Sequence, residues 1–243
     1  MSCWSCSGPR REWSTARSRW LGQELRDRRL AARMTVEAAA EKLEWSPERV
    51  TGLELGEPVA DDVDVAAFLT LFRPTGREIR RVVLLNREGE RDTWLQHFDD
   101  DPAARTRTPL FEESRATGIT GYHPMRLPPQ LLPGERRDNL TRVDAAFYIT
   151  ENALRRQRGK VADLLDHPAA IRVVPDRILI VSDGFTFLDN PQDRPVVHVE
   201  LLVANVFFEC PADVAVYRKI TEKLAEVAWD IERSRRHLES LVS

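Results

Sequence analysis

A chain of 243 residues with 42% hydrophobic content, six Trp and nine Phe can bury one large core or two modest ones, which excludes wholesale disorder. Its apolar runs, VVLL at 82–85 and ELLVANVFF at 200–208, fall short of a bilayer span, and its start lacks the apolar stretch of a signal peptide, so a cytoplasmic protein with no membrane partner is expected. The formal net charge of −3 is unevenly spread: Arg10, Arg11, Arg17 and Arg19 stand against Glu12 in the first twenty residues, and an acidic stretch comes next.

Cys3 and Cys6 form a CxxC. A zinc site needs about four ligands, and no second Cys or His pair sits at ligand spacing. The strand-to-helix context of a redox motif is missing too, and Cys210 stands alone. No metal and no cofactor are expected. Residues 1–20 read as a flexible basic tail, either solubilising or lying along a nucleic-acid backbone or minor groove.

From Leu21 the pattern turns helical. A first helix is expected over 21–32, with Leu21, Leu25 and Leu30 near one face. Thr35 is placed to cap a second helix over 36–43, where Ala38, Ala39 and Ala40 allow close packing. Ser46-Pro47 opens a third helix and Gly56 stops it. A fourth, about 62–72, would close the bundle through Val65, Phe68, Leu69 and Phe72. Two short helices joined by a tight turn, the second opening with Ser-Pro, is the geometry of a DNA reader. The charge opposes it: residues 21–72 hold six basic side chains against eleven acidic ones, and DNA affinity depends on cations displacing counterions from phosphate.

Pro74-Thr75-Gly76 marks a boundary, after which a linker helix is expected through Ile79, Val82, Val83 and Leu85 toward Trp94 and Leu95. Asp99, Asp100 and Asp101 read as a helix end entering a solvated linker rather than a cation cage. Residues 111–122 look helical, and Pro124, Pro128, Pro129 and Pro133 punctuate an irregular stretch after them. Strands are expected at 145–149, 171–174, 178–181, 185–188 and 196–201, with Asp183-Gly184 as a hairpin signal and a helix over 151–165 among them. A long amphipathic helix over 212–241 closes the chain through Val216, Ile220, Leu224, Val227, Ile231 and Leu238. The fold class is therefore mainly α with an α+β C-terminal domain: a helix-turn-helix bundle (21–73), a linker helix (74–108) and a small mixed sheet with a long C-terminal helix (109–243).

Taken in order, LGQELRDRRLAARMT, EWSPERVTGLELGEP and WLQHF, then FEESRATGITGY, LPPQLLPGERRD, ITENALRRQRG, IRVVP, VVHVELL and the closing VYRKITEKLAEVAWDIERSRRHLESL resemble the actinobacterial XRE-type (lambda-repressor-like) regulators that carry a conserved C-terminal domain of unknown function. The resemblance implies DNA binding by the first domain and ligand or partner sensing by the second, where the partner is often a small acidic protein. It makes Ser46, Arg49 and Thr51 the expected DNA contacts. Four positions depart from the family pattern: Val36 stands where a phosphate-binding glutamine is usual, Glu48 replaces a small polar residue, Gly52 replaces an arginine, and Arg33 occupies the place of a turn glycine. A single short recognition helix seldom gives enough affinity, so a homodimer on paired half-sites is expected.

Other chemistry is sparse. His198 and Glu200, two apart on an expected strand, share a face and could perform acid–base work if they line a pocket. Arg155, Arg156, Arg158 and Lys160, with Arg136, Arg137 and Arg142 nearby, form either a solvated face or a surface for DNA or an acidic partner. Trp94, Tyr122, Phe147 and Trp229 fit core or a ligand pocket. The leading reading is a DNA-associated regulator. The alternatives are a repurposed biosynthetic enzyme with its pocket in the C-terminal domain, where His198 and Glu200 would be catalytic, and a protein-interaction module.

Overall fold

The computed structural model describes residues 13–57, 61–87, 92–98, 103–134, 140–178, 183–191 and 193–242. The chain divides into two compact units, Met1–Trp94 and Leu95–Ser243. Cys3, Cys6, Arg10 and Arg11, the three aspartates at 99–101, and Arg136 and Arg137 lie outside the described residues.

The first unit is helical: α1 (Ala16–Ala31), α2 (Val36–Leu43), α3 (Pro47–Leu55), α4 (Asp62–Thr70) and α5 (Gly76–Arg87). Helix α1 begins five residues before the expected start because Thr15 and Ser18 form a capping box. The Thr15 hydroxyl accepts from Ser18 N at 3.1 Å and Thr15 N donates to Ser18 Oγ at 2.8 Å. This corrects the expectation of a flexible tail through residue 20. Arg19 is buried and donates to the Ser14 carbonyl at 2.8 Å.

Leu25, Val50, Val65, Phe68, Leu69 and Val82 form a fully buried core, each contributing about 1.5–3 kcal/mol by leaving water. Val82 comes from α5, so the expected linker helix is instead a fifth member of this bundle. Its own start is a second capping box: Thr75 N donates to Glu78 Oε2 at 2.8 Å and Glu78 N to Thr75 Oγ1 at 3.2 Å. Helices α1 and α3 approach so closely that a Cβ on Gly22 would lie 2.4 Å from the Glu54 carbonyl oxygen. One on Gly56, which closes α3 at φ +72°, would lie 2.4 Å from the Ser18 backbone.

Trp94, expected to continue the linker helix, lies instead in strand β1 (Thr93–His97). The sheet has seven strands in the order β1-β7-β6-β5-β2-β3-β4, and β2 to β7 lie in the second unit. The strands are β2 (Gly118–His123), β3 (Asp144–Thr150), β4 (Ala170–Val174), β5 (Phe185–Asp189), β6 (Val196–Glu200) and β7 (Ala204–Phe208). β2, β3 and β4 run parallel, while β2–β5, β5–β6 and β6–β7 pair antiparallel. The expected helix over 111–122 is shifted: α6 covers Ala104–Arg115, and residues 118–122 belong to β2. The expected helix over 151–165 is broken into α7 (Glu151–Arg156), a 3₁₀ turn at Arg158–Lys160 and α8 (Ala162–Leu165). The hairpin around Asp183-Gly184 would need residues 179–182, which lie outside the described residues.

The closing helix is two helices, α9 (Pro211–Val227) and α10 (Ile231–Val242). Asp230 Oδ1 accepts from Arg233 N to open α10, and Arg172 on β4 caps the end of α9. Its guanidinium donates to the carbonyls of Ala225, Ala228 and Trp229, all at 2.9 Å, and so satisfies groups that a continuous helix would have used internally. Phe185, Phe187, Val197, Val199 and Val206 face α9 through Val214 and Leu224. Thr186, His198 and Glu200, alternating with these along their strands, occupy the opposite face.

Candidate nucleic-acid interface

Helices α2 and α3 are joined by Glu44-Trp45-Ser46. Glu44 adopts a left-handed conformation (φ 56°), and its N–H returns to the Ala40 carbonyl. The Ser46 hydroxyl accepts from Arg49 N at 3.2 Å and Pro47 takes the first helical position, so α3 begins where the sequence indicates. The turn before α2 carries Arg33 at φ 53°, a conformation that favours the glycine usual at this place.

Ser46, Arg49 and Thr51 are all exposed, and each already has an intramolecular bond. Ser46 caps the helix, and Thr51 Oγ1 donates to the Pro47 carbonyl at 2.9 Å. Arg49 lies 4.4 Å from the Trp45 ring centroid and 2.5 Å from Asp64 Oδ1. An exposed ion pair is worth about 0–1 kcal/mol, so Asp64 is a weak competitor for a guanidinium offered a phosphate or a base.

The departures acquire physical causes. Val36 is half-buried against the bundle core, where a polar side chain would lose that packing. Glu48 is held below the ordinary carboxylate value, first by its own backbone N–H at the helix start and then by the Ser46 hydroxyl. It therefore serves the helix end. Gly52 is buried, and a Cβ there would lie 2.7 Å from Glu57 Oε2, so the carboxylate of Glu57 fills the space of the missing arginine.

The charge balance also changes. Residues 13–87, the described part of the bundle with α5 included, carry thirteen Arg and Lys against twelve Asp and Glu. Several acids are already matched within the bundle. Glu54 is buried against Arg29, with Nε and Nη2 donating at 2.5 and 2.8 Å. Glu24 pairs with Arg28 and Arg81, and Asp62 with Arg87. By contrast Arg73, Arg77 and Arg80 are exposed and make no ion pair among the described residues. The same is true of Arg26, Arg33 and Lys42, so the unmatched positive charge is spread over the first unit, and half of it, on and just before α5, lies beyond a count ending at residue 72.

In the second unit His198 and Glu200 do line one cleft of about 140 Å³, together with His123, Arg126, Gln130 and Thr186. Burial raises the Glu200 carboxyl, but the hydrogen bonds from Arg105 and Arg126 outweigh it and hold the group ionised. His198 stacks on Phe207 and bonds through Nε2 to Asn205 Oδ1 at 2.9 Å.

Trp94, Tyr122 and Phe147 are buried core, and Trp229 packs against His237. The basic cluster is largely engaged: Arg155 with Asp176, Arg156 with Asn152, and Arg158 with the Leu241 carbonyl. Among the described residues no group of three His, Cys, Asp or Glu could hold a metal ion, and no helix is long and apolar enough to cross a membrane.

Residues 20–82 match a helix-turn-helix domain family. Residues 135–240 match a domain of unknown function, DUF5753, so the chain couples the two. No curated protein matches it. Among solved structures the chain is similar to TrmBL2, an archaeal chromatin protein whose structure shows a novel mode of DNA binding, at 14% identity and a TM-score of 0.39. The match covers 64% of this chain and 62% of that one, so the chain spans under two thirds of that protein's length.

Proposed function

We propose that the protein is a cytoplasmic, DNA-associated transcriptional regulator of the XRE type, acting as a homodimer, whose second unit responds to a small ligand or a partner protein. The observation that carries the reading is the α2–turn–α3 arrangement within the matched helix-turn-helix domain, with Ser46, Arg49 and Thr51 exposed on and beside α3. Arg49 and Thr51 face bases, Ser46 supports a phosphate, and Arg73, Arg77 and Arg80 add phosphate contacts that offset the acids of α2 and α3.

The reading is tested by titrating the full chain with fragments that include its own promoter at several salt concentrations. Specific binding should weaken with salt, and Arg49→Ala should abolish specificity. Replacing Arg77 and Arg80 together by Ala should weaken binding to all sequences alike and reduce the salt slope by about 2. Absence of any specific complex at low salt refutes the reading. Sedimentation of the complex checks the dimer.

A further inference from the structure

The cleft in the second unit runs from an exposed mouth at Met125 and Asp183 to a buried end at Gln130 and Thr186. Gln130 is 1% exposed, and its Nε2 donates to Glu113 Oε1 at 2.7 Å and to Thr186 Oγ1 at 3.3 Å. An amide beside a carboxylate oxygen turns its NH₂ toward it, which fixes its orientation. Its Oε1 is consequently buried with no hydrogen-bond donor among the described residues. A buried carbonyl left so is costly, and a ligand that brings an N–H to this end of the cleft removes the cost.

The rest of the lining narrows the class. Arg105 and Arg126 hold Glu200, and Asp183 adds a second carboxylate, so the charged side chains of the cleft and its rim cancel. Neither an ammonium nor a carboxylate finds a net counter-charge there, and either would lose hydration on entering. Arg126, its side chain 43% exposed, spends Nη2 on Glu200 at 2.6 Å. Its other N–H groups make no hydrogen bond among the described residues. The cleft thus offers an acceptor at its inner end and donors nearer its mouth, with Pro124, Met125 and Pro129 as apolar lining. A trans secondary amide carries N–H and C=O on opposite sides of one rigid plane, which matches that order, whereas a hydroxyl carries both functions on a single oxygen. A volume of about 140 Å³ suits a compact molecule, since a cavity of about 150 Å³ holds benzene.

We propose that this cleft binds a compact, neutral secondary amide, whose N–H donates to Gln130 Oε1 and whose carbonyl accepts from Arg126, while its short alkyl groups lie against Met125 and the prolines. The proposal rests on the reading that the second unit responds to a small ligand, but its test needs no DNA. The full chain is titrated with N-methylpropionamide and, separately, with its isomer N,N-dimethylacetamide, which has no N–H. The ring resonances of His123 and His198 are followed by NMR. Propylammonium chloride and sodium propionate serve as charged comparisons.

N-Methylpropionamide should saturate with a dissociation constant on the order of 1 mM, as its few heavy atoms allow, and should shift both histidine rings. The isomer and both charged compounds should bind about tenfold more weakly. Arg126→Met should weaken binding of N-methylpropionamide about tenfold. Gln130→Leu should make the two isomers bind alike, where thermal unfolding shows the variant folded. If it does not fold, Arg126→Met and the isomer comparison on the parent decide. No saturation by N-methylpropionamide, equal binding of its isomer or of a charged compound, or an Arg126→Met variant that binds as the parent does would each overturn the proposal. So would a folded Gln130→Leu protein that still prefers the N–H isomer. A protein that binds the amide but no promoter fragment would refute the regulator reading and leave this site standing.

Discussion

Replacing Glu54 by Gln tests the central joint of the helix-turn-helix unit. Arg29 and Glu54 side chains are 7% and 6% exposed, joined by two bonds of 2.5 and 2.8 Å, and a third guanidinium nitrogen donates to the Met34 carbonyl at 2.8 Å. The Glu54 bond raises the Arg29 pKa, and a guanidinium remains protonated even without that partner, so it stays charged in Glu54→Gln. Glutamine keeps the volume, but its oxygen can accept only one side of the fork, and its NH₂ then faces another donor. A buried cation loses its counter-charge, for which about 3–5 kcal/mol is the usual cost. For a domain of this size each kcal/mol shifts Tm by about 4–8 °C, so the melting of the helical unit should fall by at least about 12 °C. Thermal unfolding of the full chain by far-UV circular dichroism reads this directly. Replacing both partners, Arg29→Met with Glu54→Leu, should recover most of the loss because neither charge remains stranded. A Glu54→Gln protein within about 1 kcal/mol of the parent would refute the reasoning, as would a double variant no better than the sum of the singles.

Three further outcomes concern other residues. Arg33→Gly should stabilise the unit by about 0.5–1 kcal/mol, because φ 53° strains a side chain that glycine lacks; denaturant unfolding showing destabilisation would contradict this. Asp64→Asn should strengthen DNA binding a few-fold by releasing Arg49 and removing a negative charge, and an unchanged affinity would show that Arg49 does not reach DNA from this pose. Glu78 is pulled down to about 2 by the Thr75 backbone N–H, the Thr75 hydroxyl and Arg28. Its contribution to stability is thus fully present above the ordinary glutamate value and is lost as the pH falls through about 2; an NMR titration midpoint near 4 would contradict the capping-box geometry.

What the sequence makes legible is what is local. Ser46, Pro47 and Gly56 define α3 because caps act within a turn of themselves. The Thr15–Ser18 box obeys the same rule but is masked by surrounding arginines that suggest a tail. Strand β2 is hidden for the opposite reason. Gly118 and Gly121 interrupt its alternation, and the space above Gly121 is taken by the Phe147 ring, whose Cδ1 would be 2.5 Å from any Cβ there. That contact comes from a strand 26 residues later in register, Gly121 opposite Phe147, and no window of sequence contains it. The partner of the carbonyls at the end of α9, Arg172, likewise lies far back in the chain. In the cleft, the period-two spacing of His198 and Glu200 is readable, whereas Arg105 and Arg126 arrive from segments that carry no motif.

The polar face of the sheet has a direction. Gln96 Nε2 donates to Thr108 Oγ1, Asn205 Nδ2 to Gln96 Oε1, and Asn205 Oδ1 must then take its proton from His198 Nε2. Every arrow runs the same way, from the imidazole toward α6. No amide in the row can be turned over without turning the others, so the row stores a single orientation rather than several independent ones. The orientation of His198 on β6 is thereby tied to Thr108 on α6, at the other end of the row. An Asn205→Asp change, almost invisible in shape, would erase that polarity along its whole length.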